Sequence, residues 1–109
     1  MKEQCISFET YQLALKAGFP FDEKGSHQPQ SIIQKWLREL PKEKNIVCLV
    51  DTEEFTENCT TWSCTIYSNL IKEEYEDDNV FDSYEKALEE GLKDSLKLLI
   101  EYYNDGGSK

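Results

Sequence analysis

The chain contains one histidine, His27, and one arginine, Arg38, among its 109 residues. No glycine-rich phosphate-binding motif occurs, because the sequence has neither G-x-G-x-x-G nor G-x-x-x-x-G-K-[ST]. No G-x-S-x-G turn precedes a predicted helix, and no cysteine lies in a reactive-site signature. His27 stands in the polar stretch 22–28, which is typical of a loop. We therefore expect no catalytic residue, no cofactor and no enzymatic activity.

Metal-binding spacing is also missing. The closest cysteine pair is C-x4-C, whereas structural zinc sites use closer pairs such as C-x2-C. That pair, Cys59 and Cys64, is predicted to face opposite sides of one strand. The acidic run 73–78 does not match the EF-hand pattern. We expect no metal site and reduced thiols. A disulfide between Cys48 and Cys64 remains as an alternative.

Long hydrophobic runs are absent as well. No stretch is long enough to span a bilayer, and the N-terminal sequence lacks the apolar segment of a signal peptide. We expect a cytoplasmic protein that does not contact a membrane. With 39% apolar and 12% aromatic residues, 1–109 is predicted to fold as a single domain. The glycines near the end predict a disordered tail over 104–109.

Acidic residues dominate the charge, and the net charge is −10. Residues 1–50 carry seven basic and six acidic side chains, whereas residues 51–109 carry five basic and sixteen acidic ones. The second half therefore repels phosphate backbones and anionic membranes. One hypothesis is an acidic decoy that mimics nucleic-acid charge and inhibits a basic host protein. An ordinary solvated surface explains the same charge.

Two N-terminal helices are predicted from apolar spacing. The first begins after Ser7, whose hydroxyl can cap it, and stops at Gly18. Its spacing is set by Phe8, Tyr11, Ala14 and Leu15. The second covers 29–40 with Pro29 in its first turn, and one apolar stripe comprises Ile32, Ile33, Trp36, Leu37 and Leu40.

A β-hairpin is predicted in the middle of the chain, with strands over 45–52 and 59–68. The apolar faces match when the turn is centred near Thr56, which gives the pairs Ile46–Ile66, Cys48–Cys64 and Val50–Trp62. A register shifted by two residues keeps the same faces and remains as an alternative. Because two strands alone are only marginally stable, a third short strand is considered within 69–81, with 79–81 as the favoured place.

The longest helix is predicted over 83–103, with a capping-box-like start at Asp82 and Glu85. Its apolar face comprises Tyr84, Leu88, Leu92, Leu96, Leu99 and Tyr103. Gly91 costs roughly 1 kcal/mol in helix propensity, so its place predicts close packing on the sheet. The order α-α-β-β-(β)-α predicts an α+β fold in which helices cover a small antiparallel sheet.

The one basic cluster surrounds the second helix. Its candidate interaction surface comprises Gln34, Lys35, Arg38 and Lys42. Because Gln and Arg can read base edges from a helix in the major groove, weak nucleic-acid binding through helix 29–40 is an alternative function. Glu39 and Glu43 interrupt the cluster, however, and the acidic remainder of the chain opposes such binding. We do not expect nucleic acid to be the main partner.

Three blocks of sequence flank the hairpin: SFETYQLALKAGF (7–19), QSIIQKWLREL (30–40) and SYEKALEEGLKDSLKLL (83–99). In this order they resemble a group of small uncharacterised proteins encoded by phages and mobile elements of Bacteroides-type gut bacteria. The residues 34–38 and 84–92 carry most of the likeness. The resemblance implies a genomic origin in a phage or mobile element and no catalytic residue.

Together these observations predict a non-enzymatic protein-interaction module. The expected partner is another protein, and a homodimer stays open as the form of that interaction.

Overall fold

Helices and a small antiparallel sheet follow one another as the sequence predicts, and the α+β class is confirmed. The computed structural model describes residues 5–21, 23, 25, 27–57, 59–70, 75–76 and 80–105. The strands form one sheet in the order β1-β2-β3. In chain order the elements are α1 (Phe8–Ala17), α2 (Gln30–Arg38), β1 (Ile46–Phe55), β2 (Thr60–Ser68), β3 (Tyr75–Glu76) and α3 (Tyr84–Asn104).

Both ends of α1 are formed by the residues that the sequence predicts. The Ser7 hydroxyl accepts a hydrogen bond from the Thr10 backbone N–H, which caps the helix. Gly18 takes φ +97°, the left-handed conformation that favours glycine, and ends it. The buried side of α1 differs from the apolar spacing, because Thr10 and Ala17 are buried with Ala14 while Phe8 and Leu15 are exposed.

Helix α2 is shorter than predicted at both ends. Pro29 is the N-cap rather than part of the first turn, and the helix stops at Arg38 because the Glu39 N–H bonds back to the Lys35 and Trp36 carbonyls. Of the predicted apolar stripe, Ile33 and Leu37 are fully buried and Ile32 is exposed. The stripe is therefore narrower than the sequence suggests.

The predicted hairpin is present, but its predicted register is wrong by two residues. The pairs are Ile46↔Ser68, Cys48↔Ile66, Val50↔Cys64 and Thr52↔Trp62. The turn lies further along the chain, where the Thr56 N–H donates to the Cys59 carbonyl at 2.7 Å. An extra residue of β1 between Thr52 and Glu54 forms a bulge. The bulge adds one residue to β1 and so compensates for part of the displacement of the turn. The remaining shift is two residues, which keeps the apolar side chains of both strands on the same face.

The third strand lies within the predicted range but not at the favoured place. Tyr75 and Glu76 pair with Ile66 and Thr65 of β2. Phe81 makes an isolated bridge with Trp62 instead, through two backbone hydrogen bonds of 2.9 Å. Most of the acidic run 73–78 lies outside the described residues.

Helix α3 has the leucine face that the sequence predicts, since Leu88, Leu92, Leu96 and Leu99 are buried. The predicted cap was wrong, however. Ser83, not Asp82, is the N-cap, and its hydroxyl accepts from the Lys86 N–H. Asp82 forms a salt bridge of 2.9 Å with Lys86 instead. In the predicted tail, Asn104 ends the helix and Asp105 caps it, while 106–109 lie outside the described residues.

All helices that the structure describes lie on one face of the sheet. Helix α3 packs against β1 and β2, α2 packs against β1 and α3, and α1 packs against α3. The close approach predicted at Gly91 is confirmed: a Cβ there would lie 2.1 Å from the Cys64 Sγ and 2.6 Å from the Cys48 Sγ. Real side chains do not come this close, so the two thiols occupy the space that glycine leaves.

Within the described residues, no helix combines the length and apolarity needed to cross a membrane.

Replacing Gly91 by alanine tests this packing. The methyl group must displace buried sulfur atoms, which costs about 1–3 kcal/mol. The higher helix propensity of alanine stabilises the helix by about 1 kcal/mol, which offsets only part of this cost. We expect a net decrease in the free energy of unfolding, measured by urea titration. A Gly91→Ala/Cys64→Ala double variant should show favourable coupling, because the sulfur nearest the new methyl group is gone. A Gly91→Ala variant more stable than the wild type would contradict the packing.

Candidate functional site: the aromatic surface between α1 and α2

The structure separates the four residues of the predicted interaction surface. Lys35, Arg38 and Lys42 are exposed, the first two on the outer side of α2 and the third in the turn that follows it. Gln34 is half-buried, and its Nε2 donates to the Cys48 carbonyl at 2.6 Å. The side chain of Gln34 thus joins α2 to β1 instead of joining the cations.

Two further polar side chains near the predicted surface are engaged inside the protein. Gln30 is 2% exposed, and its Nε2 donates to Glu89 and to the Glu85 carbonyl, both at 2.9 Å. The Nζ of Lys44 donates to the Tyr103 hydroxyl at 3.2 Å and lies over its ring. Lys35 and Arg38 remain as exposed cations of α2, while Gln30 and Gln34 point inward.

A continuous row of aromatic rings connects α1 to α2. Successive ring centroids are 6.0, 4.7, 4.5 and 5.3 Å apart, and the row runs through Phe8, Tyr11, Phe21, Phe19 and Trp36. The four rings after Phe8 are half-buried and pack against the core. Phe8 itself is 67% exposed, and Leu15 and Ile32 are exposed beside the row. We call these seven residues the α1–α2 surface.

The turn after α1 places the central rings of this surface. After Gly18, the Phe19 N–H donates to the Ala14 carbonyl at 3.0 Å, which returns the chain toward the helix. The Phe21 N–H then donates to the Phe19 carbonyl across Pro20. Phe21 consequently meets Tyr11 edge-on, and Phe19 meets Trp36. Phe19 and Phe21 thereby hold this turn against the core.

One carboxylate joins the N-terminal ends of α1 and α2 to α3. The Oε2 of Glu89 accepts from the Ser7 backbone N–H at 3.0 Å and from the Thr10 hydroxyl. Its Oε1 accepts from the Gln30 Nε2 at 2.9 Å. The segments before the two helices also pair, since the Ile6 N–H donates to the Gln28 carbonyl at 2.9 Å. Glu89 therefore fixes the two helices that carry the α1–α2 surface.

The charge on Glu89 is stable at neutral pH. Burial raises the pKa of its carboxyl, but the hydrogen bonds from Thr10, Gln30 and Ser7 together outweigh burial. The pKa of Glu89 therefore lies below its ordinary value. The partial positive charge at the N-terminus of α1 acts in the same direction. Glu89 is an ionised structural acceptor, whereas a general acid would need a raised pKa.

The buried thiols are also structural. The Sγ atoms of Cys48 and Cys64 are 3.1 Å apart, and both side chains are 1% exposed. The contact with Cys64 and burial both raise the pKa of the Cys48 thiol, which disfavours the reactive thiolate. The two cysteines are diagonal across the hairpin. Diagonal Cα atoms lie about 7–8 Å apart, beyond the usual disulfide range of about 4.4–6.8 Å.

Two hollows lined by described residues of α3 and its approach are smaller than a typical ligand pocket. One measures about 260 Å³ and is lined by Phe81, Lys86, Glu89 and Glu90; the other measures about 170 Å³ and is lined by Asp94, Lys97, Leu98 and Glu101. Drug-sized ligands occupy about 300–1,000 Å³. Among the described residues, no three His, Cys, Asp or Glu side chains are placed to hold a metal ion.

Among the described residues, other exposed large apolar side chains lie in two further places. Leu49 and Tyr67 lie on the outer face of the sheet, and Val80 and Tyr84 lie near the start of α3. The α1–α2 surface differs because ring contacts join its members across three chain segments. Sequence reasoning missed it because helical spacing alone does not say which apolar residues stay outside.

Comparison of the chain with protein-family models, curated proteins and solved structures gives no match.

Replacing Glu89 by glutamine should destabilise the fold. The new amide keeps one oxygen acceptor and replaces the other by an NH2 donor, which must face either the Ser7 N–H and the Thr10 hydroxyl or the Gln30 amide. An unsatisfied buried donor costs about 1–3 kcal/mol. Because the folded pKa is lowered, the contribution of the wild-type carboxylate is full above the unfolded value near 4.5 and is lost as the pH falls through the folded pKa. The stability difference from wild type should thus be largest at pH 7 and shrink in acid.

The control is Glu101→Gln, an exposed substitution on the same helix. Urea titrations between pH 7 and pH 3 measure both variants. A Glu89→Gln variant as stable as the control at pH 7, or a difference that grows in acid, would contradict the role of Glu89.

Thiol labelling should separate the four cysteines into two classes. Cys5 and Cys59 are exposed and should react in the native state, whereas Cys48 and Cys64 should react only after unfolding. Opening the core costs several kcal/mol, so we expect the buried thiols to react at least about a hundredfold more slowly. A Cys5→Ser/Cys59→Ser variant is the control and should show no native labelling. A third rapidly reacting thiol would contradict the burial of Cys48 and Cys64. A mass of the native protein two daltons below that of the reduced chain would show a disulfide and would also contradict it.

Proposed function

We propose that the chain is a non-enzymatic protein-interaction module that binds another protein through the α1–α2 surface. The row of five aromatic rings with exposed apolar ends is the observation that carries the proposal. Aromatic residues are enriched in protein interfaces, and contiguous exposed apolar patches mark sites of association. Half-buried rings that are already held by the core lose little conformational freedom on binding, which favours affinity.

The electrostatics of the two halves support a contact in the N-terminal half. Residues 1–50 sum to +1, whereas residues 51–109 sum to −11. A partner docked on α1 and α2 therefore contacts the half of the sequence that lacks the acidic excess. The acidic-decoy function, by contrast, needs carboxylates that converge on one face, and Glu89 and Glu90 are engaged in contacts within the protein. Gln30 and Gln34 have inward contacts that weaken the nucleic-acid alternative.

The resemblance to proteins of phages and mobile elements extends the proposal to biological context. A small binding module without catalytic machinery suits a factor that redirects or inhibits a protein of its host. In this proposal the chain comes from a phage or mobile element and acts in the cytoplasm.

Affinity capture from the native cells tests the function with two matched variants. Phe8→Gln/Leu15→Gln changes two exposed residues of the α1–α2 surface, and Leu49→Gln/Val80→Gln changes two comparably exposed residues elsewhere. We expect one stoichiometric protein to be retained by the wild type and by the second variant, and to be lost from the first. Gel shifts with DNA and RNA at low salt serve as the nucleic-acid control.

Retention of the same protein by both variants would exclude the α1–α2 surface. A stable nucleic-acid complex that withstands Phe8→Gln/Leu15→Gln and is lost in Lys35→Ala/Arg38→Ala would favour the alternative function.

A further inference from the structure

We propose that the segment docking on the α1–α2 surface is acidic and amphipathic, with an apolar stripe and carboxylates toward both of its ends. This inference rests on the proposed function and adds the chemistry of the partner. It is drawn from the exposed cations beyond the two ends of the aromatic row, Lys16 on α1 and Lys35 and Arg38 on α2.

The position of Lys16 follows from helix geometry. Residues advance by about 100° per position, so Phe8 and Leu15 share one line along the helix. Tyr11 lies on the side of this line that faces Phe21, as their ring contact of 4.7 Å shows. Lys16 lies about 100° from Leu15 on the opposite side. An exposed cation therefore flanks the apolar line away from the rings.

The positions of Lys35 and Arg38 follow in the same way. Trp36, whose ring meets Phe19, lies on one side of Ile32. Lys35 lies about 60° from Ile32 on the other side, and Arg38 follows about 60° further. Both cations are exposed, so the row of rings is bordered by positive charge at this end also.

The neighbouring carboxylates do not cancel these cations. Glu9, on the Lys16 side of α1, lies 3.4 Å from the Lys93 Nζ of α3, and this contact directs it away from the row. Glu39 is exposed beside Lys35 and is the remaining acidic group at the α2 end. Within α1, α2 and their cap residues, three exposed cations thus stand against one uncommitted carboxylate, in a chain whose net charge is −10.

The apolar part of the segment follows from the length of the row. Four centroid steps of 4.5 to 6.0 Å limit it to roughly 20 Å. A helix of about three to four turns covers this distance, at 1.5 Å per residue. Apolar side chains at i, i+3, i+4 and i+7 would lie on the rings. Carboxylates near one end of the helix would meet Lys16, and those near the other end would meet Lys35 and Arg38.

Three synthetic 16-residue peptides test the inference. They share one apolar stripe of leucine and phenylalanine, and their polar positions are all glutamate, all glutamine or all lysine. Binding of the full chain is measured by fluorescence anisotropy at low salt. We expect the glutamate peptide to bind roughly five- to tenfold more tightly than the glutamine peptide, because each exposed ion pair contributes a fraction of a kcal/mol. Added salt should reduce this advantage.

Two charge-matched variants locate the effect. Lys35→Gln/Arg38→Gln removes the two cations at the α2 end of the row, and Lys86→Gln/Lys97→Gln removes two exposed cations from α3. The first should lose most of the preference for the glutamate peptide and keep its affinity for the glutamine peptide. The second should keep both affinities.

Each other result overturns the inference. Equal binding of the glutamate and glutamine peptides would show that the surface binds apolar side chains without a preference for acidic ones. Tightest binding of the lysine peptide reverses the charge assignment, and no binding of any peptide excludes this partner chemistry, while the capture experiment still decides the function. Sedimentation of the chain alone tests the other occupant, since a dimer lost in Phe8→Gln/Leu15→Gln would assign the surface to a second copy.

Discussion

The arrangement of the helices depends on one carboxylate. Glu89 lies on α3, and it accepts hydrogen bonds from Ser7 and Thr10 at the start of α1 and from Gln30 at the start of α2. These groups are neutral donors, so their bonds hold the charge without an ion pair. Because both helices begin at the same acceptor, their relative position is fixed at that end. The aromatic surface between them has a defined shape for this reason.

The opposite side of α3 has a different constraint. Gly91 brings the helix so close to the sheet that the Cys48 and Cys64 thiols fill the position of its missing side chain. The helices accordingly pack tightly on one face of the sheet. On the outside of the described residues, the α1–α2 surface is a contiguous group of aromatic and apolar side chains.

Local rules predict much of this fold from the sequence. The Ser7 cap, the Gly18 stop and the leucine face of α3 each depend on residues near one another in the chain. The close approach at Gly91 was predicted from the low helix propensity of glycine, although its contacts are with the distant Cys48 and Cys64. The hairpin register was wrong because a slip of two residues preserves both faces, and an unforeseen bulge decided the outcome. The exposure of Phe8 and Leu15 depends on the position of α3 relative to α1. The spacing of apolar residues within α1 carries no information about that position.

Glu89 was missed for a similar reason. It is one of 22 acidic residues, so its residue type alone does not distinguish it from the others. A signal was nevertheless present, since Glu89 stands three residues before Leu92 and seven before Leu96, on the spacing of the buried face. A charged residue at such a position requires buried donors. The polar residues at helix starts, Thr10 and Gln30, supply them.

The central proposal is that another protein docks on the α1–α2 surface, and amide chemical-shift mapping tests it most directly. A uniformly 15N-labelled chain is titrated with the protein that the capture experiment retains. We expect the largest shift changes in 8–21 and 30–38, with the sheet residues 47–51 and 63–67 almost unaffected. Changes centred on those sheet residues, or on the acidic helix α3, would contradict it.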